Sequence, residues 1–131
     1  MRFMLMMHAP RGDGDYQINS WSPDDLKAHI GFMHDFNVDL KKTGEFVDAQ
    51  GLAPPGDAKL VRGAKSGVPA TDGPFAESKE FLVGYWIIDV DKTERAYEIA
   101  ANVSNAPGPG GAPMTIPVEV RQVMSHPPDE M

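Results

Sequence analysis

Phe81-Leu82-Val83-Gly84-Tyr85-Trp86-Ile87-Ile88-Asp89-Val90 is the stretch on which the fold turns. In an extended chain, successive side chains alternate between two faces. Phe81, Val83, Tyr85 and Ile87 then point one way, and Leu82, Trp86, Ile88 and Val90 the other. Both sets are apolar, so this strand is expected to be covered on both faces. The opening segment from Arg2 to His8 is of the same kind, and Pro10, Gly12 and Gly14 follow it as turn signals. Its apolar run superficially resembles a signal peptide, but it stops at His8 and reads as a first strand.

The clearest helix lies between these strands. Ser22 is placed as N-cap, Pro23 at the first helical position and Asp25 three residues after the cap, which is the capping-box spacing. Trp21 and Leu26 stand where a hydrophobic staple would close the entry. Leu26, Ile30, Met33, Asn37 and Leu40 recur at helical spacing, with Phe36 on the flank. Lys41 and Lys42 suit the negative end of the helix dipole, and Gly44 supplies the stop. The pattern predicts a helix over 23–43. A second helix is expected after the central strand, capped by Asp91 with Glu94 and carrying Ala96, Ile99, Ala100 and Val103 on its apolar face.

The remaining segments are shorter. Glu45 to Leu52 reads as a strand, Ala53 to Asp57 as a turn, and Lys59 to Gly63 as a short edge strand with a return near Val68. Residues 64–80 are rich in Gly, Pro, Ser and Asp and read as a long structured loop, a kind of segment that often carries function. The 107–111 stretch of Gly and Pro reads as a lid or a slack connection. Ile116, Val118 and Val120 mark a last strand, and residues 126–131 a tail outside a single domain spanning 1–125. The order is β-α-β, a hairpin and loop, then β-α-β. That is a ferredoxin-like α+β sandwich with two helices on one sheet face. Its second face needs a cover, and a second copy is the simplest one. The expected assembly is a homodimer joined through the open sheet face as a dimeric α/β barrel.

Composition narrows the function classes. The chain has 131 residues, with 19 acids against 12 bases and a net charge of −7. No cluster of Lys and Arg is present to track a phosphate backbone, so nucleic acid is not an expected partner. No run reaches the ~20 apolar residues that a membrane span needs. Cysteine is absent, which excludes disulfides, thiolate catalysis and cysteine-based metal sites and fits a reducing, cytoplasmic compartment.

One segment is more specific. Thr71-Asp72-Gly73-Pro74-Phe75-Ala76-Glu77-Ser78-Lys79-Glu80 resembles the signature of the DGPF-domain branch of the YCII-related family. The opening RFMLMMH, the SPDDL helix start, KKTGEFVDAQGLAPP, GYWIIDVD and the closing PVEVRQV resemble that family in the same order, over nearly the whole chain. The resemblance implies a dimeric, ferredoxin-like α/β barrel. It also implies two alternatives for function. Some relatives are thought to use a His-Asp pair for proton transfer; others are associated with extracytoplasmic-function sigma factors. On this chain both His29 and His34 lie on the first helix, so the resemblance leaves the histidine open.

Read on their own chemistry, His29 and Asp72 are the catalytic candidates. His29 falls on the sheet-facing side of the helix, with Asp25 one turn back to orient it, and an imidazole facing a pocket is a natural acid/base. The plainer alternative is a satisfied boundary histidine. His34 is expected to face solvent. Asp72 opens the signature turn, where Gly73 and Pro74 hold it rigidly; it can serve as a base or simply bond its own turn. His8, Arg62, Phe75, Lys79 and Tyr85 are candidate ligand-binding residues, beside alternatives as strand-end, solvated or packing groups. No spacing points to a metal site or a nucleotide cofactor. Three functions fit: a lyase- or isomerase-type enzyme working by His29 and Asp72 between helix and sheet, a regulatory module, and a ligand sensor without chemistry.

Overall fold

A computed structural model describes residues 1–10, 20–68, 70–72 and 80–125. Its main elements are β1 (Arg2–Pro10), α1 (Pro23–Thr43), β2 (Phe46–Gly51), β3 (Leu60–Arg62), β4 (Ala70–Asp72), β5 (Glu80–Asp89), α2 (Thr93–Ser104) and β6 (Val118–Gln122). Four strands form one antiparallel sheet in the order β2-β5-β1-β6, while β3 and β4 pair as a separate hairpin. The two doubly apolar segments, β1 and β5, are the inner strands. The chain is therefore a mixed α+β protein in the β-α-β-β-α-β order, with the hairpin inserted before the third strand of the sheet.

Both helices pack on one face. Phe3, Leu5 and Met7 of β1 and Trp86 and Ile88 of β5 join Phe36 and Leu40 of α1 and Ala96, Ile99, Ala100 and Val103 of α2 in a single core. Leu5, Ile88 and Val103 are wholly buried; each such side chain contributes on the order of 1.5–3 kcal/mol. The opposite face carries Met4, Met6, Tyr85 and Ile87, half-buried by their neighbours with no layer over them among the described residues. It is not purely apolar. Asp48, Glu119 and His8 share it, so apolar groups there are interleaved with titratable ones.

α1 runs over the span its sequence predicts. Ser22 Oγ accepts from Asp25 N–H at 3.2 Å, Pro23 opens the helix, and Gly44 closes it at φ 78°. The buried stripe, however, is rotated by one residue. His29, Phe36 and Leu40 are buried and Met33 is half-buried, whereas Ile30 is 58% exposed. Two polar residues, His29 and Asn37, lie on the packed side, and hydropathy alone cannot place them there. α2 starts at Thr93 with no side-chain cap, so the Asp91–Glu94 box expected from sequence does not form. What holds its first turn is Arg95, whose Nε and Nη2 donate to both oxygens of Glu45 at 2.8 and 2.9 Å.

Three further expectations are corrected. The 64–80 segment is not all loop, because Ala70–Asp72 pairs with Leu60–Arg62 as the true return strand. Ile116 is buried but precedes β6 rather than lying in it. The 107–111 stretch is neither lid nor slack. Gly108 N–H donates to Ala112 carbonyl at 2.7 Å, Met114 N–H to Ala106 carbonyl at 3.0 Å, and Pro107 bridges to Pro113. The expected tail at 126–131 lies outside the described residues.

Candidate functional site

A cleft of about 220 Å³ opens between α1 and the sheet. α1 contributes His29, Met33 and Asn37; β1 contributes Met7; β2 contributes Ala49 and Gly51; β5 contributes Gly84 and Trp86. Its wall is mainly apolar with a few polar groups, the usual make-up of a small-molecule site, at a size below the ~300–1,000 Å³ of drug-sized ones. Gly84, on its wall, lets β2 and β5 close together. A Cβ there would stand 2.7 Å from the Gln50 carbonyl oxygen and 3.3 Å from Gly51 Cα, so β2 and β5 approach this closely only because residue 84 has no side chain.

His29 is the buried polar residue of the core, 4% exposed. Its Nδ1 lies 3.0 Å from the Pro107 carbonyl oxygen, and Trp21 meets the ring edge-on at 5.2 Å between centroids. A carbonyl can only accept, so Nδ1 carries the proton. In the neutral ring Nε2 is then the acceptor, held in one tautomer and one orientation. Asp25 does not supply this support, as the i, i+4 spacing had suggested. Its carboxylate accepts instead from Gly110 N–H at 3.1 Å. Asp25 and His29 thus grip the same loop one turn apart, and that loop in return orients the imidazole. Trp21, expected as half of a staple with Leu26, packs on His29.

Asn37 was not recognised from sequence as more than a member of the stripe. Its Oδ1 accepts the indole N–H of Trp86 at 2.8 Å across the cleft wall. The available signal was a polar residue two turns after His29 in an otherwise apolar face. Trp86 is also pinned by Phe36, with ring centroids 5.4 Å apart at 82°.

Of the other described sequence candidates, His8 and Arg62 lie away from the cleft. His8 lies on the open face, where Nε2 is 3.2 Å from Glu119 Oε1. Tyr85 sends its ring to that same face, and its hydroxyl donates to Asp48 at 3.3 Å. Desolvation first, and the Asp48 charge second, raise the phenol above its ordinary value. Tyr85 therefore borders the cleft only as part of the β5 wall. Arg62 is exposed at the end of β3, and His34 is exposed on α1 as expected. Asp72 ends β4 in the hairpin; its side chain, like Phe75 and Lys79, lies outside the described residues. Among the described residues no group of three or more His, Asp or Glu is placed to hold a metal ion, and no helix is long and apolar enough to cross a membrane.

A second charged cluster sits away from the cleft. The fork of Arg95 holds Glu45 below the ordinary carboxylate range, with burial opposing it and a 2.7 Å bond from Thr43 adding to it. This cluster ties the start of α2 to the turn between α1 and β2, and its charges are already matched.

A family model described as the YCII-related domain matches residues 1–112. An uncharacterized protein of Rhizobium meliloti (strain 1021) is 29% identical over 127 residues, covering 96% of this chain and 98% of that protein.

Proposed function

The chain belongs to the YCII-related domain family, and from that premise we propose a small-molecule enzyme of the lyase or isomerase type, in which His29 is the proton-transferring base. The observation that carries this reading is a buried imidazole lining a cleft, with Nδ1 committed to Pro107 and Nε2 left as the accepting nitrogen. Such a group is built to take a proton from a carbon acid and return it. In the proposed step a C–H bond conjugated to a carbonyl breaks and an N–H bond forms at Nε2. The electron pair spreads towards the carbonyl oxygen. Return of the proton to a different carbon completes an isomerisation with no atom gained or lost. Asp72 is the proposed acidic partner, by its place at the end of β4 within the signature segment.

Deuterium incorporation tests this directly. A set of small enones and 1,3-diketones in heavy water, followed by proton NMR, is expected to include compounds that exchange with the wild-type protein. His29→Gln should lower that rate about a hundredfold or more. Equal rates for the two proteins would remove His29 as the base.

We also propose that a second copy covers the open face. The support is the central group Met4, Met6 and Ile87, which is apolar and carries no layer from the described residues, bordered by polar pairs as interface cores are. Two-fold pairing of identical sheets would close these faces on each other and make the α/β barrel.

A further inference from the structure

We infer that the cleft takes an elongated, uncharged molecule, with a hydrogen-bond donor at the end that meets His29, a carbonyl-type acceptor at the end that meets Asn37, and an apolar middle. This rests on the reading of the cleft as a small-molecule site and adds the class of ligand to it; in a substrate, the C–H that Nε2 deprotonates stands in the place of that donor. The polarity of each end is set by the partner behind it. Pro107 offers only a carbonyl, so it takes the Nδ1 proton of His29 and leaves Nε2 as an acceptor. The indole of Trp86 offers only an N–H, so it takes the oxygen of Asn37 and leaves the amide nitrogen as a donor. Neither Nε2 of His29 nor Nδ2 of Asn37 has a partner among the described residues. The cleft thus presents one acceptor and one donor, not two groups free to switch.

Their spacing gives the length. His29 and Asn37 are eight residues apart on one helix, about 12 Å between Cα atoms at 1.5 Å per residue. Met33 lies midway, with Met7 and Trp86 across the cleft, so the middle of the ligand meets sulfur and an aromatic ring. Charge is decided by what is missing from the wall. No Lys or Arg is among its described lining residues, and a carboxylate moved there would lose its water without gaining a counter-ion.

Two probes of the same shape separate the possibilities: 4-hydroxybenzamide, uncharged, and 4-hydroxybenzoate, anionic. Each is titrated into nitrogen-15-labelled protein while the Trp86 indole and His29 imidazole resonances are followed. The amide is expected to move both and to bind about tenfold or more tighter than the benzoate, one lost interaction's worth of affinity. Asn37→Asp keeps an oxygen for the Trp86 indole but has no donor. It should weaken the amide about tenfold while the indole resonance stays in its hydrogen-bonded position. If Asn37→Asp does not fold, the two probes on the wild-type protein still decide the charge preference. Equal or tighter binding of the benzoate, or both resonances unmoved by either probe, would overturn the ligand class. The deuterium experiment fails separately. Exchange that depends on His29 while neither probe binds would sink only the ligand class, and probe binding without exchange would sink only the proton transfer.

Discussion

The two faces of the sheet are made from the same two inner strands and end in opposite conditions. On the helix side, Phe3, Leu5, Met7, Trp86 and Ile88 are sealed by α1 and α2, and the buried polar residue among them, His29, is satisfied by a backbone carbonyl. On the open side, Met4, Met6 and Ile87 stand beside His8–Glu119 and Tyr85–Asp48, partly in water. The two histidines state the difference most clearly. His8 has a charged partner across a half-exposed edge, whereas His29 has a neutral partner inside the core and a cleft in front of it. The histidine proposed as functional is set apart less by a nearby carboxylate than by a packed environment that fixes which nitrogen is free.

The comparison can be broken by mutation. Leu5→Ala should cost about 3 kcal/mol in denaturant unfolding at any protein concentration, because the cavity lies in the sealed face. Met6→Arg, one residue away on the other face, is expected to leave the monomer folded and to abolish a dimer that sedimentation detects in the wild type. A wild-type chain that sediments as a monomer at every concentration, with Met6→Arg behaving identically, would overturn the proposed second copy.

The histidines come next in size. His29→Ala should destabilise by about 2 kcal/mol, since it opens a cavity and strips the partly buried Pro107 carbonyl of its donor. His8→Ala should cost less than about 1 kcal/mol, as an exposed pair does. Equal costs would mean that the two faces are not distinct environments.

Smaller still is the contrast between two carboxylates, Glu45 on its Arg95 fork and Glu119 beside His8. Glu45→Gln should cost about 1 kcal/mol at neutral pH, discounted because Arg95 is partly exposed. The sign with pH follows from the lowered carboxyl. Its stabilisation is present above the unfolded-state value of ~4.3 and is lost as pH falls below it, so wild type and variant should converge in acid. Unfolding curves at neutral pH and near pH 3 check this, and a difference that persists in acid would contradict it.

Much of the architecture was legible in the residues. The capping signals around Ser22, Pro23 and Gly44 are local, and α1 runs between them as read. The doubly apolar β1 and β5 were legible as strands, and they are the inner pair of the sheet with one face sealed by the helices. The signature segment and its companions pointed to the family that the chain belongs to, since their order along the chain survives any change in side-chain detail. His29 could be nominated from its place on the helix.

Partners were another matter. That Asp25 takes Gly110 and leaves His29 to Pro107, that Asn37 holds Trp86, and that Gly84 must lack a Cβ beside Gln50 all depend on residues far apart in the chain. The one-residue rotation of α1 has the same origin. The helical spacing put Ile30 in the packed stripe, whereas the structure exposes it and buries His29, because burial with a partner costs such polar groups little and the partners exist only once the loop and β5 are in place. Local spacing along the chain determines where helices and strands begin and end; which polar groups lie inside, and with what free valence, is decided by the tertiary contacts that satisfy them.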